Sequence, residues 1–133
     1  MADWKKQYLQ ECGGNMRPGV DPLSTSLVSA QGFAMVAVAC MGEKEVFDKL
    51  YNFYKSKCSR SACGLMNRKV NCSGVEPDGQ GAATDGDVDV ACALIVAHWQ
   101  WPDAGYDDKA GAVIANLENP VTDFFQVFCR FFG

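Results

Sequence analysis

The chain has 133 residues, 48% apolar and 21% charged. That balance describes one folded domain with a moderate core and excludes a disordered chain. The net charge of −4 excludes the basic footprint of a nucleic-acid or anionic-membrane partner, and no apolar run reaches the roughly 18–20 residues that span a bilayer.

Trp4, Tyr8, Leu9 and Cys12 recur at helical spacing, and Gly13-Gly14 predicts the end of that first helix. Residues 13–24 hold Pro18, Gly19, Asp21 and Pro22 and read as loop. A second helix is expected over about 26–41. Its centre, from Phe33 to Cys40, is apolar all round and predicts burial. Residues 43–57 follow as an amphipathic helix with Val46, Phe47, Leu50, Tyr51 and Tyr54 on one face, the pattern of an outer layer. Residues 58–83 read as a long loop in which 65–70 are extended.

The next helix is expected to start near Asp85, because Thr84 with Asp87 three residues on is a capping-box pattern. It is apolar nearly all round from Val88 to Ala97 and is stopped by Pro102. A fifth helix is expected over about 106–117, and Thr122-Asp123 would cap a last one carrying Phe124, Phe125, Val127, Phe128, Phe131 and Phe132. Buried helices thus alternate with amphipathic ones. The fold class expected is all-α, a single helical domain over 1–133 built of stacked helical hairpins.

Seven cysteines are many for this length. Cys40 and Cys92 sit on apolar helical stretches and read as buried small hydrophobes. Cys58, Cys63 and Cys72 lie in the long loop, where one or two disulfides would suit an oxidising compartment. Asn71-Cys72-Ser73 reads as a glycosylation acceptor. These features lean towards a secreted origin, although Met1-Ala2-Asp3-Trp4-Lys5-Lys6 carries no signal peptide. With no Cys-x-x-Cys pair and His98 as the one histidine, no zinc site and no cofactor are expected. Asp85, Asp87 and Asp89 match the opening of an EF-hand, but Val90 and Val96 stand where that loop needs Gly and Glu, so calcium is not expected either. Trp101 reads as core, and His98 as a satisfied helical residue.

The acidic triplet and the helix behind it carry the most information. Ala83, Thr84, Asp85, Gly86, Asp87, Ala91, Ala93, Leu94, Ile95, Ala97 and Trp101 resemble the signature of glycoside hydrolase family 8, with Val90 as the one departure. The stretch from Gly42 to Lys55 is similar to the family's helix after its acid-bearing segment, and Gly64-Leu65-Met66-Asn67 to the segment before the signature. The resemblance spans about 4–117. It implies a partial (α/α)6-barrel-like assembly, since the family's domain is a barrel of six helical hairpins, and it implies endoglucanase, chitosanase or xylanase chemistry.

By that resemblance Asp85 is the active-site carboxylate, counted here as the catalytic candidate, that holds the sugar at the cleavage point. Asp85, Asp87, Gln31, Phe33 and Arg68 are the substrate-binding candidates. The family's general acid is a Glu in a Ser-Glu-Gly-Gln motif. Val28-Ser29-Ala30-Gln31-Gly32-Phe33 aligns with it, placing Ser29 on the Glu and Phe33 on the family's Tyr. A shift of one residue places Ala30 there, and neither is a carboxylate. Arg68 stands where the family has a Trp that stacks on a sugar, and the family's base comes from a region with no counterpart here. An inverting hydrolase needs both acid and base, about 6.5–9.5 Å apart. The function expected is therefore a degenerate or truncated family 8 protein that binds a β-1,4-linked glucan or chitosan weakly and does not cleave it alone. The alternatives are an active inverting endo-β-1,4-glucanase or chitosanase, and a structural module that self-associates. Homo-oligomer formation is expected from inner helices left open to water and from the Phe-rich C-terminal segment.

Overall fold

The computed structural model describes residues 2–19, 24–59, 62 and 64–118. Helix α1 covers Ala2–Tyr8 and is followed by β1 (Leu9–Cys12) and β2 (Asn15–Pro18), paired antiparallel with Leu9 opposite Pro18 and Cys12 opposite Asn15. The expected helix through Cys12 and loop from 13 are thus replaced by a β-hairpin. Gly13 and Gly14, at φ 59° and 87°, make the two-residue turn that matches the twist of antiparallel strands and that glycine adopts without strain.

A second ribbon pairs β3 (Thr25–Leu27) with β4 (Lys69–Asn71), Ser26 opposite Val70. This pairing takes residues 26 and 27 from the expected helix, so α2 begins at Val28 and ends at Cys40. The partner strand lies more than forty positions away, which local periodicity does not reveal. The remaining helices fall close to expectation: α3 is Lys44–Ser56, α4 is Thr84–Gln100 and α5 is Tyr106–Glu118. The N-cap of α4 is Ala83, with no side-chain cap bond, so Thr84 is the first helical residue and not the cap. The expected C-terminal helix from Thr122 lies outside the described residues.

The chain is mostly helical, and four of its five described helices form two packed pairs. Helix α3 packs on α2, and α5 packs on α4, while α2 and α4 lie side by side. They run parallel: Gly32 approaches Gly86 near their starts, and Gln100 Nε2 donates to Ala39 O at 3.0 Å near their ends. The core between the pairs holds Met35, Val38, Phe47, Leu50, Phe53 and Leu94. Each such side chain contributes about 1.5–3 kcal/mol on full burial. Phe47, Trp101 and Tyr106 cluster with ring centroids 5.3–6.1 Å apart, and the Tyr106 hydroxyl donates to Asp48, joining α5 to α3.

Two expectations of burial are corrected. Cys40 and Cys92 are exposed, as are Phe33 (64%), Val88 (45%) and Trp99 (73%). Each inner helix packs along one side, and among the described residues nothing lies over the other. The disulfide reading is also revised. Cys72 bonds Cys12 of the first hairpin, while Cys58 keeps a free thiol that donates to Tyr54 O at 3.4 Å. His98 is half-buried with Nδ1 unpartnered, so it is not the satisfied residue expected.

Candidate functional site

Helices α2 and α4 both begin at one open cleft of about 360 Å³ lined by Leu27, Val28, Ser29, Arg68, Lys69, Asp78, Ala83 and Asp85. Two glycines bring the helix starts together. A Cβ on Gly86 would lie 2.7 Å from the carbonyl carbon of Val28 and 2.8 Å from Ser29 N. One on Gly32 would lie 2.6 Å from Asp89 Cβ and 2.7 Å from Gly86 O. Only residues without a side chain allow this approach, and it sets Ser29 beside the first turn of α4. The partial positive charge at a helix N-terminus favours a carboxylate there, which suits exposed Asp85 in the first turn.

The opposite wall comes from the extended stretch before β4 and its first residue. The Val28 N–H donates to Arg68 O at 3.1 Å, and the Arg68 N–H to Gly81 O at 2.9 Å. Gly81 N–H in turn donates to Asn67 Oδ1 at 3.1 Å. Backbone bonds therefore tie this wall both to the start of α2 and to the segment entering α4. The Arg68 guanidinium donates from Nε (3.2 Å) and Nη2 (2.7 Å) to the backbone oxygen of Asp78. Lys69 Nζ sits 3.2 Å from Asp78 Oδ2, and that hydrogen bond holds the Asp78 carboxyl below the usual carboxylate range.

Of the candidate residues, the structure brings Asp85 and Arg68 together, with Ser29 between the two helix starts. The other three lie elsewhere. Gln31 is fully buried, and its Nε2 donates to Leu50 O at 2.7 Å, so it ties α2 to α3 and does not line the cleft. Asp87 is also fully buried, accepting from Tyr54 Oη at 2.7 Å. Burial pushes its carboxyl up to about 7, against the hydrogen bond from Tyr54. Phe33 projects into a separate depression of about 150 Å³ that it shares with Trp4, Tyr8 and Ala30. The reason is periodicity: on α2, residue 31 faces α3, while 29 and 33 face outward.

Lys69 and Asp78 line the cleft and were not among the sequence candidates. Pro77-Asp78-Gly79 marks a turn in the sequence, but nothing local shows that the turn folds back over Lys69. Chemically, the cleft offers a carboxylate acceptor, a guanidinium with free donor capacity at Nη1, and a hydroxyl. These are groups that bind a polyol through charge-assisted hydrogen bonds. Its second carboxylate, Asp78, is held ionised by Lys69, the wrong state for donating a proton.

A profile of Glycosyl hydrolases family 8 matches residues 2–125. The chain is 33% identical over 108 residues to a "Beta-glucanase" of Niallia circulans, a match covering 77% of this chain and 26% of that protein. It is 32% identical over 127 residues to "Endoglucanase A" of Acetivibrio thermocellus, covering 88% of this chain and 26% of that one. Among solved structures it superposes on a β-1,3-1,4-glucanase from Paenibacillus sp. X4 with a TM-score of 0.77 and 31% identity, covering 85% of this chain and 32% of that chain. A family 8 endo-β-1,4-glucanase from an Achatina fulica gut metagenomic library follows at 0.74 and 28% identity, covering 89% and 37%. The chain spans about a quarter of the length of these curated relatives and about a third of these solved structures. A family match over nearly the whole chain, a β-glucanase and an endoglucanase as relatives, and a superposable, mostly helical fold agree with the signature at Asp85: this chain belongs to glycoside hydrolase family 8.

Proposed function

We propose that the chain binds a β-1,4-linked glucan in the cleft at the starts of α2 and α4, and that by itself it does not cleave it. The observation that supports this reading best is the meeting of exposed Asp85 with Arg68 in one open cleft. Asp85 accepts from sugar hydroxyls, and the Arg68 guanidinium donates to ring or hydroxyl oxygens. Charge-assisted bonds of this kind are short and about twice as strong as neutral ones. Affinity is nevertheless weak, because among the residues lining the cleft there is no aromatic ring to stack on a sugar.

The absence of cleavage follows from the same cleft. Hydrolysis with inversion needs a carboxylic acid at the leaving oxygen and a carboxylate base across the ring. Ser29 stands where the family resemblance places the acid, and a hydroxyl is far too weak an acid for that role. Removing a general acid lowers the rate by about 10²–10⁴.

Calorimetric titration with cellohexaose checks this reading. The expected result is weak, saturable binding that Asp85→Ala removes and Phe33→Ala leaves intact, with no reducing sugar released from carboxymethylcellulose. Chitosan hexamer serves as the second arm, since its amines would pair with Asp85. Turnover that Asp85→Ala abolishes would overturn the non-cleaving part. Absence of binding to both oligomers would overturn the sugar-binding part.

A further inference from the structure

Asp87 is spent on nothing in the cleft, yet it is the one carboxyl among the described residues with no exposed surface. A buried carboxyl is costly unless fully paired, and an apolar side chain would fill the same place without that cost. Its Oδ1 accepts from Tyr54 Oη at 2.7 Å, while no donor lies within hydrogen-bond distance of Oδ2 among the described residues. Asp87 lies in the first turn of α4, two residues beyond Asp85, and Tyr54 lies in the last turn of α3. Tyr54 O in turn accepts from Cys58 Sγ at 3.4 Å. Met66 is bridged to Cys58 and stands two positions before Arg68. Through Tyr54 and Cys58 the carboxyl therefore connects three parts of the fold: the turn presenting Asp85, the end of α3, and the stretch presenting Arg68.

From this arrangement we infer that Asp87 is a positioning residue, fastening the two walls of the cleft to each other through Tyr54 and the Cys58–Met66 pairing. The inference rests on reading Asp85 and Arg68 as the sugar contacts, but the coupling itself needs no ligand. The mechanism is electrostatic. Protonated, the carboxyl is neutral and its Oδ1 is satisfied by Tyr54. Ionised, it leaves a charge on Oδ2 without a donor in a dry site, and the turn of α4 must shift to find one. The groups facing it are Tyr54 from α3, Cys58 beyond the end of that helix, and Asp85 from α4 itself. Burial raises the Tyr54 hydroxyl far above its ordinary value and the Cys58 thiol to about 11, so both stay neutral while Asp87 titrates. Asp85 repels the ionised form and adds to the shift. Loss of one proton at Asp87 thus moves the residues on both sides of the cleft together.

The test is a titration of backbone amide NMR signals in the ligand-free protein from pH 5.5 to 9. In the wild type, the amides of Asp85, Gly86, Met66 and Arg68 are expected to shift with one common midpoint near 7. Asp87→Asn, which keeps the shape and still accepts from Tyr54, should make all four flat over that range. Tyr54→Phe leaves the carboxyl in place but removes a hydrogen bond that favours the charged form, so the shared midpoint should rise. A residue that only fills the core would alter stability without linking the two walls. Static signals in the wild type, or a common midpoint that survives Asp87→Asn, would overturn the inference. If the inference holds, cellohexaose affinity should fall several-fold between pH 6 and 8 in the wild type and stay level in Asp87→Asn. An affinity that is level in both would overturn the positioning role. No sugar binding at any pH, with the amides still titrating together, would overturn the sugar reading and leave the coupling standing.

Discussion

At the scale of single residues, the sign of a pKa shift decides what pH does to the fold. Asp87 is raised from 3.8 to about 7 in the native chain, so between those values the folded state holds a proton that the unfolded state has released. Stability is therefore complete below about pH 4 for this group and falls as pH rises towards 7. A shift of this size corresponds to about 4 kcal/mol. Thermal unfolding at pH 5 and pH 8 should show the wild type losing stability across that interval, and Asp87→Asn losing much less. Equal pH dependence in both proteins would place the titrating group elsewhere. The spacing in the signature shows why neighbouring residues of one sequence motif part company. Asp85 and Asp87 lie about 200° apart around a helix, so one faces water and the other the core.

At the scale of elements, two glycines determine where the cleft forms. Gly32 and Gly86 let α2 and α4 approach until their backbones nearly touch, and that contact brings Ser29 next to the turn of Asp85. Alanine at Gly86 gains up to about 1 kcal/mol of helix propensity. It also places a methyl carbon 2.7–2.8 Å from backbone atoms of Val28 and Ser29, which cannot yield as a flexible side chain does. Overpacking of this sort costs about 1–3 kcal/mol, so Gly86→Ala should lower the unfolding midpoint in urea and widen the cleft. Unchanged stability together with unchanged sugar affinity would show that the helix pair tolerates separation. The helices themselves were largely legible beforehand. The amphipathic stripe of α3 and the Pro102 stop after α4 are local signals, and their boundaries came within one or two residues of expectation. The ribbons were not. Gly13-Gly14 is a hairpin turn that a helical spacing of Trp4, Tyr8 and Cys12 obscured, and β3 depends on a partner that only the folded chain supplies.

At the scale of the whole molecule, the described residues leave one flank of the paired inner helices uncovered. Val88, Cys92 and Trp99 on α4 and Phe33 and Cys40 on α2 are exposed, and exposed apolar side chains of this size favour association when they gather on one face. We expect the chain to self-associate. Sedimentation at tens of micromolar should show concentration-dependent association, and Trp99→Glu, at an exposed site far from the cleft along α4, should reduce it. A clean monomer for the wild type would count against the expectation.

What the sequence determined alone is the family and the helical character, because both are written in local terms: a contiguous signature from Ala83 to Trp101, and apolar spacing near 3.6 residues. What the tertiary structure decided is which members of that signature reach a ligand. Asp85 and Arg68 meet only because β3 pairs with β4 and α2 lies parallel to α4. Asp87 and Gln31 are withdrawn into the core because their positions on those helices face α3. Phe33 and Cys92 reach the surface although their surroundings are apolar, since hydrophobicity states what a residue tends to bury but not which neighbours are present to bury it.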